Sequence, residues 1–416
     1  MIGADQLLYL FIYSIVCFII CGRRRNFDFF SIIFLSSSYY ALPLIGGKIY
    51  DPNDHVLLEL PTEIYLAYGA FFALVASFAL YLDAKGHQLT LPSEAVLRRY
   101  SKSLLIVTSL FFIIIVVLSP RGLLPVNIDA KSASELGVIW VLYRIMAISI
   151  FTCALFANSN ISLLATFFIL TTLTSGSRTY FAFAILIYVF WRYYGKKIRI
   201  ATKPTFFIGV PLGVMLLTIF KAIYQYLLIL DFKSLLDFDK MVSVIMFKTF
   251  GGSEAIITLS FVRGIEVWKD NISYDFSNIF ITSIPLITGI ISNAFDLKVQ
   301  AFSDFLEPLF FYDVGYGVGS NLWGSMYATG GIITTLLCMY LYLLLFYAFI
   351  LHSKAKQAST VFIFPIMTLL AFYATRWELA AIIYIISASY FCYLLIQAYR
   401  LLFNQKSRIK KCEASE

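Results

Sequence analysis

Eleven apolar stretches, each close to the length of a membrane-crossing helix, dominate this chain. They fall near 5–22, 27–47, 62–82, 103–119, 138–157, 161–176, 179–194, 206–228, 321–350, 360–375 and 379–402. A hydrocarbon core takes about 20 apolar residues in a helix. The pattern predicts an all-α fold, a polytopic transmembrane helical bundle of about 11 spans. Composition agrees: 60% of residues are hydrophobic and 13% are charged. A soluble domain carries about 25% charged residues, so the charge here is too sparse to cover a surface that faces water. The 28 Tyr and 40 Phe suit interfacial belts, where a ring sits in lipid and a hydroxyl stays wet.

The first apolar run is followed by Arg23, Arg24 and Arg25. A signal peptide carries its positive charge before the apolar stretch, so this run reads as a retained first span. With the N-terminus outside and the spans alternating, segments 23–25, 83–102, 192–203, 352–359 and the tail from Arg400 carry 19 Lys or Arg on the cytoplasmic side. The short external loops and turns carry five: Lys48, Arg121, Lys131, Arg178 and Arg376. Such asymmetry sets orientation. It predicts a multi-pass membrane protein with an external N-terminus and a cytoplasmic C-terminus, a placement that the resemblance below makes periplasmic and bacterial inner-membrane. The net charge of +8 therefore reads as membrane orientation and not as a nucleic-acid face.

The chain divides into spans 1–8 over 1–228, a large periplasmic loop over 229–320, spans 9–11 over 321–402 and a cytoplasmic tail over 403–416. Loops this long are usually functional. Two apolar stretches inside it, 241–262 and 277–295, are interrupted by polar residues such as Lys248 and Glu254. They read as amphipathic or re-entrant helices. If both cross, the count becomes thirteen and every other orientation survives. The loop holds none of the six cysteines, Cys17, Cys21, Cys153, Cys338, Cys392 and Cys412, so no disulfide framework is expected there.

Residues able to carry chemistry gather at the predicted external turns. Arg178 lies in Thr174-Ser175-Gly176-Ser177-Arg178-Thr179, where Ser175 or Ser177 can cap the following helix. A helix N-terminus beside a guanidinium is an anion site, and the alternative is a cap with a snorkelling Arg. Arg376 lies in Thr375-Arg376-Trp377-Glu378, with Glu378 placed to complement the next helix dipole. Gly315-Tyr316-Gly317-Val318-Gly319 precedes the ninth span. Gly317 and Gly319 either form a flexible turn or let backbone N–H groups approach a phosphate. Arg144 lies inside the fifth span, where a charge is costly and points to a functional site or snorkels outward. Lys221 lies near the end of the eighth span, and Lys248, Glu254 and Arg263 stand in apolar surroundings. Glu254 and Arg263 are nine residues apart, on opposite faces of a straight helix, so no direct pair is expected. Asp51-Pro52-Asn53-Asp54 reads as a turn. His55 is the only histidine predicted outside, and no HExxH or DxD pattern is present. Neither a metal nor a cofactor is expected.

With these residues the chain resembles the O-antigen polymerase (Wzy) family of bacterial inner-membrane proteins. The likeness rests on the span number, the TSGSR turn after a central span, the large late loop, the glycine-rich YGVGSNLWGSMYATGG start of the next span, and the late Arg376. The resemblance implies a metal-independent glycosyltransferase that polymerises undecaprenyl-pyrophosphate-linked oligosaccharide repeat units into O-antigen polysaccharide. It implies catalytic roles among Arg178, Arg376, Arg263, Glu254 and Glu378, and pyrophosphate binding by Ser177, Arg178, Gly317, Gly319 and Arg144. Its implied partners are the lipid-linked donor and acceptor, membrane lipid and a chain-length regulator protein, with no nucleic acid. Two alternatives stay open: an O-antigen ligase-like glycosyltransferase and a polysaccharide flippase. Ligases of this architecture use a His in the large loop, which here has none, and a flippase has short loops on both sides.

Overall fold

The computed structural model describes residues 3–51, 56–118, 137–172, 179–209, 255–272, 274, 301–311, 320–355, 359–376 and 379–413. The fold is all-α with one hairpin among these residues. Helix α1 (Ala4–Cys17) runs on through a π turn to Arg23 and is followed by α2 (Phe29–Tyr40) and the short α3 (Leu42–Gly46). Strands β1 (Lys48–Asp51) and β2 (Val56–Glu59) pair antiparallel, with Lys48 opposite Glu59 and Asp51 opposite Val56. Then come α4 (Thr62–Ala84), α5 (Glu94–Leu118), α6 (Gly137–Phe156), α7 (Ser162–Thr171) and α8 (Thr179–Tyr193). The late part holds α9 (Ala255–Lys269), α10 (Phe302–Phe310), α11 (Leu322–Ser353), α12 (Ser359–Phe372) and α13 (Leu379–Glu413).

Six of these are long and apolar enough to cross a membrane: Ala4–Arg23, Thr62–Ala84, Glu94–Leu118, Ile139–Phe156, Leu322–Ser353 and Ile382–Leu402. Four more expected spans coincide with shorter apolar helices, Phe29–Tyr40, Ser162–Thr171, Phe183–Tyr193 and Phe362–Phe372. The expected span 206–228 lies outside the described residues apart from its first four positions. Leu163, Ile333, Phe11 and Leu337 are among the large apolar side chains left on the outside of the molecule. In a membrane-embedded protein such residues face lipid and cost nothing there.

The chain forms two compact units. The first contains 1–88, 195–349 and 370–384; the second contains 89–194, 350–369 and 385–416. In the first, the helix ends sort into two groups. The Thr62 hydroxyl donates to Asp5 at 2.8 Å, and the Gln6 amide donates to the Ile45 carbonyl at 2.8 Å. So α1 and α4 start at the same end, beside the hairpin. At the opposite end Arg24 grips Asp28 and Asp83, 2.8 and 2.7 Å away, and Ile198 N–H donates to the Arg25 carbonyl at 2.7 Å. Helix α2 starts at this end, where Asp28 caps it through Ser31 N–H, and runs back. These three apolar helices therefore alternate in direction, and the basic segments 23–25 and 196–203 share one end. The core between is aromatic, with Tyr68, Phe71, Phe72, Phe34 and Trp323 fully buried.

In the second unit α6 is the central helix. Tyr143, Met146, Ala147 and Ile150 are fully buried, and α5, α7 and α8 pack around it. The long α13 joins this unit through Gln397, whose amide donates to the Tyr100 hydroxyl at 2.7 Å, and through Arg400 over the Tyr100 ring at 4.2 Å.

Candidate functional site

The hairpin end of the first unit is organised by α9. Its residues from Ile256 to Ile265 are buried on every face, packed against α2, α4, β1 and α10. Sequence alone suggests an amphipathic or re-entrant helix here; the structure shows one enclosed by protein. What allows the enclosure is a glycine crossing. A Cβ at Gly264 would lie 2.4 Å from the Gly324 carbonyl oxygen, and one at Gly324 would lie 2.7 Å from the Phe261 Cα. The two backbones touch, and small residues at helix crossings serve this close approach. Asn321 secures the junction. Its side-chain oxygen caps α11 by accepting from Trp323 N–H and Gly324 N–H, and its amide donates to the Ile257 carbonyl at 3.1 Å and the Tyr68 hydroxyl at 3.2 Å.

Helix α11 is broken after its first two turns. Gly331 has φ +65° and ψ −158°, a conformation reserved for glycine. The segment beyond the break, 332–353, is about 33 Å long at 1.5 Å per residue, enough to cross a bilayer by itself. The piece before the break is thereby released to pack on α9. Broken helices of this kind are tolerated in membranes where the freed backbone is buried in protein.

The sequence-predicted residues divide three ways. Arg263 is buried and ion-paired with Asp51 of β1 and with Glu266 one turn on, and its guanidinium stacks on the Phe310 ring at 4.9 Å. Its positive charge is thus met by two carboxylates. It ties the hairpin and α10 to α9, and that geometry makes it a positioning residue. Asp51, read from sequence as part of a turn, is fully buried. A second pair, Lys269 with Glu63 at 2.6 Å, joins the end of α9 to the start of α4. The Glu63 carboxylate holds the Lys269 ammonium above its ordinary pKa.

Arg376 lies half-buried in the turn after α12. Its guanidinium donates to the Tyr40 hydroxyl at 3.4 Å and sits over the Tyr373 ring at 5.7 Å. Tyr40 also accepts, at its carbonyl, the Thr258 hydroxyl of α9 at 2.6 Å. The structure therefore brings Arg376 and Arg263 into one unit, linked through Tyr40 and α9, without joining them directly. Arg144 belongs to the other unit, between the Trp140 and Tyr180 rings at 5.4 and 5.5 Å. Ser177, Arg178, Glu254, Gly317, Gly319 and Glu378 lie outside the described residues, as do Lys221 and Lys248.

Sequence reasoning missed Asp51, Glu266, Gly264, Trp268 and the Glu63–Lys269 pair. The pairings Asp51–Arg263 and Glu63–Lys269 bridge more than 200 positions, a separation no local pattern reveals. Gly264 did carry a signal, because a glycine within an apolar helical run marks a close approach.

No family model matches the chain, and neither the curated proteins nor the solved structures contain a match to it.

Proposed function

We propose that the chain polymerises undecaprenyl-pyrophosphate-linked oligosaccharide repeat units at the periplasmic face of a bacterial inner membrane. The observation that carries this reading is Arg376. Its guanidinium is oriented by Tyr40 and Tyr373 at a turn between two apolar helices, and Tyr40 is in turn tied to α9 through Thr258. A pyrophosphate leaving group develops negative charge at headgroup depth, and a guanidinium fixed in advance stabilises it without reorganising. The family resemblance implies pyrophosphate roles for Ser177, Arg178, Arg144, Gly317 and Gly319 as well. The acceptor hydroxyl calls for a carboxylate. Glu266, about one third exposed and oriented by Arg263, joins Glu254 and Glu378 as a candidate for that role.

The test uses purified protein in liposomes given only the lipid-linked repeat units. A ladder of longer lipid-linked glycans is expected, with EDTA present or absent. A single unextended band from folded protein overturns the reading. In cells, deletion of the gene should leave surface lipopolysaccharide capped with one repeat unit. Bare core with no single-repeat band favours transport instead.

A further inference from the structure

Trp268 is unusual among the aromatic residues of α9's end. It is 45% exposed, yet its indole is seated on the backbone break of α11. A Cβ at Gly331 would lie 3.0 Å from the indole Nε1 and 3.1 Å from Cε2, so the ring occupies the space a side chain would take. Glycine is required at 331 twice over, by its φ of +65° and by this contact. A tryptophan that only anchored the helix in the interfacial belt could lie against lipid without such a seat.

The residue after Trp268 carries a hydrogen-bonding group. Lys269, the next residue in the chain, is ion-paired with Glu63, with side chains 51% and 28% exposed. The Tyr327 hydroxyl, one turn before the break, is within electrostatic reach of both. A fixed aromatic face flanked by a few polar groups is the usual make-up of a small-ligand subsite, apolar for area and polar for orientation. A pyranose ring has the complementary surface: one face of C–H groups and a rim of hydroxyls.

We infer that Trp268, seated on Gly331 and flanked by Glu63 and Lys269, is a stacking subsite for one sugar ring of a glycan chain. This rests on the polymerase reading and names where that substrate is gripped away from its pyrophosphate. The ring supplies the platform, and the ion pair accepts and donates hydrogen bonds to adjacent hydroxyls.

The experiment measures steady-state polymerisation by protein in nanodiscs, together with binding of the free repeat-unit oligosaccharide released by mild acid from the host's lipid-linked pool. Trp268→Leu keeps an apolar side chain and loses the ring; Trp268→Phe keeps a ring. We expect Trp268→Leu to raise KM about tenfold, the loss of about 1.4 kcal/mol, with kcat held within about twofold. Binding of the free oligosaccharide should weaken in parallel, and Trp268→Phe should stay close to wild type on both measures. Unchanged KM in Trp268→Leu overturns the subsite while leaving the polymerase reading intact. Equal behaviour of Leu and Phe variants identifies a membrane anchor and also overturns it. A wild-type chain that neither polymerises nor binds the oligosaccharide ends both proposals together.

Discussion

Replacing Arg24 should damage this protein more than replacing any exposed basic residue, and the structure sets the scale. The Arg24 side chain is 1% exposed and forks onto two carboxylates. Nε and one terminal nitrogen reach Asp83 at 2.7 and 3.0 Å, while the terminal nitrogens reach Asp28 at 3.1 and 2.8 Å. Arg24→Met leaves both carboxylates without this cation. Removing one partner from a buried ion pair costs about 3–5 kcal/mol. Asp28 and Asp83 keep 15% and 26% of their side-chain surface in contact with solvent, and each has another donor, Ser31 N–H or the Asn26 amide. The low end applies, about 3 kcal/mol, or roughly a hundredfold in the folded ratio. Arg24→Lys should lie between, because an ammonium cannot satisfy two forks. The neutral triple variant Arg24→Met, Asp28→Asn, Asp83→Asn should recover most of the loss, since Asn still caps α2. Thermal unfolding in detergent, followed as the fraction surviving size-exclusion after heating, ranks the four proteins. Arg24→Met melting with wild type, or melting with the triple variant, refutes the reasoning.

Arg376→Ala should abolish polymer at a normal protein level in the membrane, and Lys should rescue only in part; a wild-type glycan ladder removes Arg376 from the site. Arg263→Met, which loses both its ion pairs, should instead lower the amount of folded protein, so the ratio of polymer to protein separates the two arginines. Gly264→Ala drives a methyl group into the Gly324 carbonyl and should cost about 1–3 kcal/mol or more, read as a drop in melting midpoint, because overpacked backbone has no side chain to yield. Single cysteines placed at Leu57 and Asp270 should react with an impermeant thiol reagent in spheroplasts, while those at Arg99, Lys197 and Lys354 should not; labelling at 197 overturns the orientation.

The helices were legible because hydropathy is a local property. Ten of the eleven apolar stretches coincide with helices, and only their lengths depart from expectation. The hairpin was not legible: Lys48–Asp51 and Val56–Glu59 are four residues each and flank the sequence Pro52-Asn53-Asp54, whose turn-like composition hid the strands. Arg263 was legible as a residue out of place in an apolar stretch, while its role was not. A buried cation is located by its own cost, but its meaning depends on partners, and Asp51 comes from a different part of the chain. The Gly330–Gly331 break lay inside the glycine-rich segment singled out from sequence, yet its effect appears only with Trp268 in place.

Four described arginines show why charge in a membrane protein cannot be weighed by depth alone. Arg24 and Arg263 are each met by two carboxylates, so each forms a clamp whose net charge is negative. Arg376 sits over the Tyr373 ring and Arg144 over the Trp140 and Tyr180 rings, and a ring orients a guanidinium through its quadrupole. An anionic ligand gains little from a cation already neutralised by two carboxylates. On that ground Arg263 ranks below Arg376 for the pyrophosphate contact of the proposed reaction, an order the paired Ala variants can test through polymer made per folded molecule. Equal activity in the Arg376→Ala and wild-type proteins, with Arg263→Ala inactive though fully folded, reverses the assignment.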